Sequence, residues 1–271
     1  MSEAVPDPVI LVDVADRIAT ITLNRPEARN ALSRALGHAL WDAVGEAGED
    51  PDVDAVVLTG TDPAFSAGVD LKEVSGEVPL TDSPRGPGEG PERFDVNGLY
   101  RFVPLIPKPI IGAINGVAVT GGLELALQCT FLVASERARF ADTHARVGIM
   151  PGWGLTVLLV EAVGVRRARE LSATGNFLDA PTALAWGLVN HVVAHDELLP
   201  FTRGLALAAV HNDQAGVRRM LRTYAEIADD VYDGAWAIED RVNRDWLAAG
   251  LDHAEIASRR QGIVDRGRTQ L

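Results

Sequence analysis

Two glycine-containing turns, each directly after a short apolar run, constrain the fold of this chain more than any other feature. The apolar run 55–58 leads into the turn 65–72, and the run 109–114 leads into the turn 115–126. Glycine permits turns that point backbone N–H groups outward, and small side chains allow a ligand to approach the backbone closely. The two turns therefore predict a pair of converging N–H donors for a negative oxygen that develops on a carbonyl.

The second turn also begins a helix and carries an acid. Gly121 and Gly122 lie at the predicted helix start, and Glu124 follows three residues after Gly121. This spacing places the carboxylate beside the helix N-terminus. An anion hole with a carboxylate in reach of the same carbonyl is a site for proton chemistry next to an enolate.

Segments spread over nearly the whole chain resemble the enoyl-CoA hydratase/isomerase (crotonase) superfamily, in family order and near family spacing. Besides the two turns, they are LNRPEARNAL (23–32), VLTG (57–60), GIMPGWG (148–154) and ALAWGLVN (183–190). The resemblance implies an α/β fold: a spiral of β-β-α turns, followed by an α-helical C-terminal region that forms trimers, commonly paired into hexamers. We therefore expect a core over 1–195 that carries the acyl-CoA site, and a helical oligomerisation region over 196–271.

Hydrophobic periodicity by itself indicates only an α/β body and a helical tail. Residues 17–23 alternate as a half-buried strand, and Ser33 is predicted to cap a helix that runs to about Gly48. After residue 195 we expect four helices, over 197–211, 213–230, 231–249 and 253–267. The Pro/Gly-rich segment 76–98 is either a lid over the acyl site or an insertion without a role.

The resemblance also assigns roles to residues in the two turns. The backbone N–H groups of Val69 and Gly121 are the expected oxyanion donors, and the Gly152 N–H is expected to help hold a reacting water. Trp153 either narrows the acyl pocket or packs under the following helix. The other positions matched to acyl-CoA contacts lie in or beside the turns: Ala28, Ser66, Ala67, Gly68, Asp70, Leu71, Lys72 and Gly122.

One position departs from the family pattern. Family hydratases use two glutamates to hold and activate water, and Glu124 matches the first. When the chain is aligned on Phe140 and Gly148, the position of the second holds His144. Beside Glu124 its proton affinity should rise, so it either acts as an acid or base with a pKa of about 6 to 8, or only shapes the pocket through a bond to Asp142.

The preferred function is hydration of a 2-trans-enoyl-CoA to the 3-hydroxyacyl-CoA, a reaction of fatty acid β-oxidation. Isomerisation of a double bond, which needs only one acid or base, stays an alternative, as does hydrolysis of a thioester or a carbon–carbon bond. A non-catalytic acyl-CoA binding protein is a further alternative. Glu124 argues against it, because an unpaired buried carboxylate is costly and would have no structural purpose.

Composition restricts the partners and the compartment. The chain has 25 basic and 38 acidic residues, and its net charge of −13 argues against nucleic-acid binding. The phosphates of coenzyme A then need a local basic patch, for which Lys72, Arg25 and Arg29 are candidates. A single cysteine, Cys129, and no Cys/His spacing typical of a metal site fit a cytoplasmic enzyme. We expect acyl-CoA as a substrate only, no metal, no tightly bound cofactor, and a homotrimer or homohexamer.

Overall fold

A six-stranded sheet lies at the centre of the computed structural model, which describes residues 8–74, 101–232, 234–250, 254–256, 258–259 and 262. Its strands, in spatial order, are β1 (Ile10–Ala15), β2 (Ile18–Leu23), β3 (Ala55–Gly60), β5 (Ile110–Ile114), β7 (Phe131–Ser135) and β10 (His191–Val193). Only β1 and β2 pair antiparallel, and the other neighbours are parallel. The two apolar runs noted in the sequence are the interior strands β3 and β5.

A second sheet of four strands accompanies the first. Its strands are β4 (Ala64–Ser66), β6 (Val117–Val119), β8 (Arg139–Ala141) and β9 (Leu178–Asp179), in that order. Each of the first three follows a strand of the central sheet and precedes a short helix: α2 (Leu71–Val74), α3 (Gly121–Leu127) and α4 (His144–Val147). This repeated β-β-α connection confirms the predicted spiral.

Helix α1 (Arg34–Glu49) follows the first strand pair and confirms the predicted cap. The Ser33 hydroxyl accepts a hydrogen bond from the Leu36 N–H at 3.2 Å. Strand β2 also forms as predicted, but it is more buried than the half-buried alternation suggests, because β2 is an interior strand of the sheet. Ile18 packs with Leu198 on one face, and Ile21 and Leu23 join the larger core on the other.

The second half of the described chain is largely helical. The helices are α5 (Leu155–Val163), α6 (Val165–Thr174), α7 (Ala180–Trp186), α8 (Leu198–Val210), α9 (Gln214–Val231) and α10 (Ala235–Ala248). Helices α8 and α9 match their predicted ranges closely. Helix α10 begins later than residue 231, because Gly234 adopts a left-handed conformation with φ 76° and separates it from α9.

Helix α8 packs on the central sheet, where Leu198 and Ala206 join a cluster with Ile18 and Val57. The expected boundary at residue 195 stays a prediction. Of the helix expected over 253–267, residues 254–256, 258–259 and 262 are helical. The segment 76–98, with its expected lid, lies outside the described residues. Across the part of the chain that the structure describes, none of the helices has the length and apolar character to span a bilayer.

Candidate active site

The two predicted turns lie side by side, because each follows one of two paired parallel strands of the second sheet, β4 and β6. Ser66 at the end of β4 pairs with Ala118 of β6, so the chain leaves both strands at the same level. A Cβ on Gly122 would overlap the carbonyl oxygen of Ser66. A Cβ on Gly68, whose φ is 82°, would lie 2.6 Å from the carbonyl oxygen of Val119. These glycines therefore permit a backbone contact that any side chain would prevent.

Val69 and Gly121, whose backbone N–H groups are the expected oxyanion donors, both adjoin this contact. Val69 directly follows Gly68, and a Cβ on Gly68 would lie 3.3 Å from the Gly121 nitrogen. Leu32 bridges the first turn by donating to the Gly68 carbonyl at 2.7 Å and accepting from the Asp70 N–H at 3.2 Å, which bypasses the Val69 N–H. Within the described residues, neither the Val69 N–H nor the Gly121 N–H donates to the turns and strands around it. The oxyanion role expected for these two groups stays a prediction.

Thr120, which the sequence analysis missed, sets the direction of the second turn. Its φ of 52° and ψ of −120° are those of the first central residue of a type II′ turn, a position that glycine usually occupies. The Thr120 N–H donates to the Ala141 carbonyl at 3.0 Å, and its hydroxyl contacts that of Thr143. A strained residue held by its surroundings is typical of a functional site.

The first turn is fixed by polar contacts with the segment 25–32. Arg25 pairs with Asp70 at 3.1 Å, and the Ser66 hydroxyl donates to the Asn30 carbonyl at 2.8 Å. The Ala67 N–H donates to the Arg29 carbonyl at 2.9 Å, directly after the 3₁₀ turn that ends at Ala28. The structure therefore brings together the segments predicted to bind acyl-CoA.

Of the basic candidates for a phosphate contact, Arg25 pairs with Asp70, and the side chains of Arg29 and Lys72 lie at the surface. Leu71, another predicted contact, packs against a small apolar cluster formed by Val147, Ile149 and Ile256.

The Glu124 side chain is 1% exposed and has two partners. Its Oε1 accepts a hydrogen bond from the Trp153 N–H at 3.0 Å, and its Oε2 lies 3.4 Å from Nε2 of His144. The N–H that reaches Glu124 is thus that of Trp153, the residue after Gly152. The role expected for the Gly152 N–H stays a prediction.

The Trp153 ring lies against the start of α3. A Cβ on Gly121 would be 2.6 Å from Cζ3 of this ring, so the indole and the proposed oxyanion donor are neighbours. Phe102 packs edge-on against the indole with a centroid distance of 4.8 Å, and Gln128 donates to the Trp153 carbonyl at 2.8 Å. Of the two expectations for this residue, the contact with Gly121 favours the one that narrows the acyl pocket.

His144 lies between two carboxylates. Its Nδ1 is 2.7 Å from Oδ1 of Asp142, and its Nε2 faces Glu124. Burial lowers the pKa of His144, but the hydrogen bonds to Asp142 and Glu124 outweigh burial and raise it to about 9. This value lies above the range of about 6 to 8 expected from the sequence, because Asp142 and Glu124 both act on the ring. At neutral pH the ring is an imidazolium that donates from both nitrogens.

Asp142 is the residue that orients the His144 ring. Burial alone would raise the pKa of Asp142, but hydrogen bonds from His144 and Ser172 leave it below its usual value. The Asp142 carboxylate also accepts from the His144 backbone N–H at 3.1 Å. Both proposed roles of His144 thus rest on one geometry, in which it is bound to Asp142 and also faces Glu124.

Glu239 of helix α10 is a second buried acid near Glu124, and the sequence analysis did not identify it. Only 6% of the residue is exposed. Its carboxylate accepts from the Gly154 N–H at 2.6 Å, the Thr156 N–H at 2.6 Å and the Thr156 hydroxyl. Burial raises the pKa of Glu239, and the charge of Glu124 raises it further. In the sequence Glu239 lies among other charged residues of α10, and there it looks like an ordinary surface acid.

Cys129 and the acidic and histidine side chains are the other groups that could carry chemistry. Burial raises the pKa of the Cys129 thiol to about 12, which agrees with an inert apolar residue rather than a nucleophile. It lies two residues beyond the end of α3 rather than on that helix. In the described ranges, no three His, Cys, Asp or Glu side chains are grouped so that they could hold a metal ion.

Comparison with known proteins identifies the family. The sequence model of the family described as enoyl-CoA hydratase/isomerase matches residues 13–251. A probable peroxisomal enoyl-CoA hydratase 1 of Arabidopsis thaliana is 43% identical over 203 residues, which are 75% of this chain and 73% of the relative. A crotonyl-CoA hydratase of Syntrophomonas wolfei is 32% identical over 233 residues, covering 85% of this chain and 86% of the relative.

Solved structures agree with the sequence comparisons. The crystal structure of an enoyl-CoA hydratase from Mycobacterium smegmatis superimposes with a TM-score of 0.77 at 48% identity, over 90% of this chain and all of that one. The similarity confirms the α/β crotonase fold that the sequence motifs predicted. The sequence relatives and the solved structure together show that the chain is an enzyme. The chain belongs to the enoyl-CoA hydratase/isomerase family.

Proposed function

We propose that this enzyme adds water across the C2–C3 double bond of a 2-trans-enoyl-CoA to give the 3-hydroxyacyl-CoA. The observation that carries the proposal is the contact between the Glu124 carboxylate and the His144 imidazolium, 3.4 Å apart and next to the two turns. Hydration requires one group that takes a proton from water and another that gives a proton to carbon. An anion and a cation side by side meet both requirements.

The first step uses Glu124 and the anion hole. The water oxygen bonds to C3 while Glu124 takes one of the water protons. The electron pair of the double bond moves towards the thioester, whose carbonyl oxygen becomes an enolate oxygen. The N–H groups of Val69 and Gly121 stabilise this oxygen, and loss of one such donor typically lowers the rate by about 10²–10³.

The second step uses His144 as the acid. Its Nε2–H passes to C2, the enolate collapses to the thioester, and the ring is left neutral. Glu124 now holds one proton more than at the start and His144 one fewer. Transfer of that proton from Oε2 of Glu124 to Nε2 of His144, along their 3.4 Å contact, restores both groups. Asp142 keeps Nε2 directed at Glu124 because it holds Nδ1.

The names of the relatives support this reaction class, and coenzyme A enters as part of the substrate, without a metal in the mechanism. The position of Trp153 next to Gly121 supports a pocket of limited width for the acyl chain. A homotrimer or homohexamer, a cytoplasmic location and a place in β-oxidation belong to the same proposal.

The test is incubation of the protein with crotonyl-CoA and with longer 2-enoyl-CoAs. Loss of the conjugated enoyl absorbance is followed, and the product is identified by mass. A gain of one water, with Glu124→Gln inactive and Glu161→Gln active, is the expected result. Glu161 is a suitable control because it is an exposed glutamate on α5.

Each alternative has its own outcome when the assay is extended to a 3-enoyl-CoA. A 3-enoyl-CoA that becomes conjugated without a change of mass identifies an isomerase, for which Glu124 alone supplies the proton transfers. Release of free coenzyme A thiol identifies a hydrolase. Tight binding of acyl-CoA without any product identifies a binding protein. Any of these three results without hydration overturns the proposed reaction.

A further inference from the structure

One face of helix α10 holds the segment 148–156, which consists of the loop 148–154 and the first two residues of α5 and carries the N–H partner of Glu124. The residues of this face are Trp236, Glu239, Asn243 and Trp246, spaced three, four and three residues apart. This spacing places all four on the same side of a helix. We call this set the α10 face.

Three members of the α10 face bond to the backbone of the loop. Trp246 donates from its indole N–H to the Gly148 carbonyl at 3.0 Å. Asn243 donates to the carbonyls of Met150 at 2.9 Å and Pro151 at 3.2 Å. Glu239 accepts from the N–H groups of Gly154, at the other end of the loop, and Thr156, in the first turn of α5. The bonds follow the loop from one end to the other.

The loop glycines allow this close contact. A Cβ on Gly154 would overlap the Trp236 ring, and a Cβ on Gly152 would lie 2.9 Å from Cγ of Asn243. Gly154 also has a φ of 95°, which L side chains rarely adopt. Gly152 and Gly154 of GIMPGWG therefore fit the loop closely to α10.

Consecutive N–H groups of the loop bind two different buried carboxylates. The Trp153 N–H donates to Glu124 at 3.0 Å, and the Gly154 N–H donates to Glu239 at 2.6 Å. The two N–H groups belong to adjacent peptide units that share the Cα of Trp153, so only the φ and ψ angles of that residue separate their directions. We therefore expect that a shift of the backbone that releases Gly154 from Glu239 also displaces the Trp153 N–H from Glu124.

We propose that Glu239 is a positioning residue for the reaction, because it fixes the loop whose Trp153 N–H holds Glu124 in place. Asn243 and Trp246 support the same loop from its first half. This inference rests on the proposed function, in which Glu124 takes a proton from water. It adds that the geometry of Glu124 depends on a residue 85 positions beyond Gly154 in the chain, in the C-terminal helical region.

The test compares Glu239→Gln with Asp240→Asn, the same chemical change one residue further along α10. Asp240 pairs with Arg244 on the helix surface and does not belong to the α10 face. A glutamine can accept at only one end, so Glu239→Gln should lose the bond to Gly154 or to Thr156. Asn243→Leu is the milder second variant. Circular dichroism and thermal melting establish which variants fold.

Two readouts are expected to move together. Hydrogen exchange of the amides in 148–156 should accelerate in Glu239→Gln and Asn243→Leu but not in Asp240→Asn. The kcat for crotonyl-CoA should fall about tenfold to a hundredfold in Glu239→Gln while KM stays nearly constant, because misplacement of a reacting group acts on the chemical step. On a Glu124→Ala background, Glu239→Gln should have little further effect, since no carboxylate remains to be positioned.

The outcomes separate this inference from the proposed function. If wild type hydrates no enoyl-CoA, the proposed function fails. Hydrogen exchange of the amides in 148–156 then decides by itself whether α10 holds this segment in place. Unchanged exchange in a folded Glu239→Gln or Asn243→Leu overturns the inference. So does a kcat equal to that of wild type, or an effect of the same size with and without Glu124. If Glu239→Gln does not fold, the same comparisons are made with Asn243→Leu.

Discussion

Oε2 of Glu124 lies 3.4 Å from Nε2 of His144, and both side chains are almost completely buried. An isolated buried ion is costly, and the His144 ring has a carboxylate at each nitrogen that offsets this cost. Asp142 is the carboxylate on the far side of the ring. The two carboxylates raise the pKa of His144 to about 9, so the ring is suited to donate a proton.

Glu124→Gln should lower hydration by a factor of about 10² or more, because an amide cannot exchange the proton that the carboxylate takes from water. The amide oxygen can still accept from the Trp153 N–H, so binding of the coenzyme A ester should be nearly unchanged. Steady-state kinetics and a binding titration with a product analogue measure the two effects. Near wild-type turnover would show that Glu124 is not the base.

The pH dependence of kcat should reflect His144. Its pKa is raised to about 9, so the imidazolium persists at neutral pH, and activity should decline as the pH rises through about 9. His144→Glu should retain part of the activity without this decline. His211→Gln changes an exposed histidine and is the control. A decline of the same shape in His144→Glu would contradict the assignment.

Stability should follow the same group. A folded-state pKa above the unfolded value of 6.5 means that protonation stabilises the fold. This contribution is complete below about pH 6.5 and is lost as the pH rises through about 9. Between about pH 7 and 10, the melting temperature of wild type should therefore fall by more than the melting temperature of His144→Gln. Scanning calorimetry across this range measures the difference.

The parts of the site that the sequence predicts are those set by local structure or by the family motifs. The start of α3 at Gly121 and the Ser33 cap follow from residue types at fixed short spacing. The proximity of His144 to Glu124 follows from alignment on the motif around it. The rise of its pKa follows from a neighbouring carboxylate, but its size depends on Asp142 as well.

The parts that the sequence does not predict depend on long-range contacts. Glu239 and Gly154 are 85 residues apart, and no local pattern joins them. Thr120 adopts a conformation that its type disfavours, because the backbone of Ala141 and the Thr143 side chain hold it there. Local propensity fails at these positions, and both adjoin the candidate site, where such conflicts are expected.

Gly122→Ala should separate the two turns and lower turnover by at least about 10², because the added methyl group would meet the backbone carbonyl of Ser66, which cannot move aside easily. Gly204→Ala is the matched control, since a Cβ there has open space on helix α8. It should leave activity unchanged and raise stability by about 0.5–1 kcal/mol. Kinetics with thermal melting checks both. A folded, fully active Gly122→Ala would contradict the proposed anion hole.

Trp153→Ala should widen the acyl pocket while the backbone N–H to Glu124 remains. The ring lies against Gly121, so its removal leaves space beside the proposed oxyanion donor. The ratio of kcat/KM for longer enoyl-CoAs to that for crotonyl-CoA should rise about tenfold or more, since a methylene group in an apolar pocket contributes about 1–3 kcal/mol. Trp186→Ala, at the end of α7, is the control. An unchanged ratio would show that Trp153 only packs against Phe102.

Helix α9 carries an apolar face that has no cover within the described part of the chain. Met220, Tyr224, Ile227 and Val231 recur at spacings of four, three and four residues and are 59%, 72%, 55% and 65% exposed. The recurrence places them on one side of the helix. Trp236 and Trp246 contact the loop 148–154 of the same chain. The α9 face is thus the stronger candidate for a subunit contact.

The protein should therefore form a trimer or hexamer, because an apolar face of this kind is typical of an interface between subunits. Light scattering coupled to gel filtration should give three or six times the chain mass of 28.9 kDa. The double variant Tyr224→Glu and Ile227→Glu should dissociate the assembly, since it places two charges in the interface. Arg222→Glu, a charge change on the same helix outside the apolar face, should leave it intact. A wild-type mass near 28.9 kDa at micromolar concentration would contradict the assembly, and dissociation by Arg222→Glu alone would place the interface elsewhere on α9.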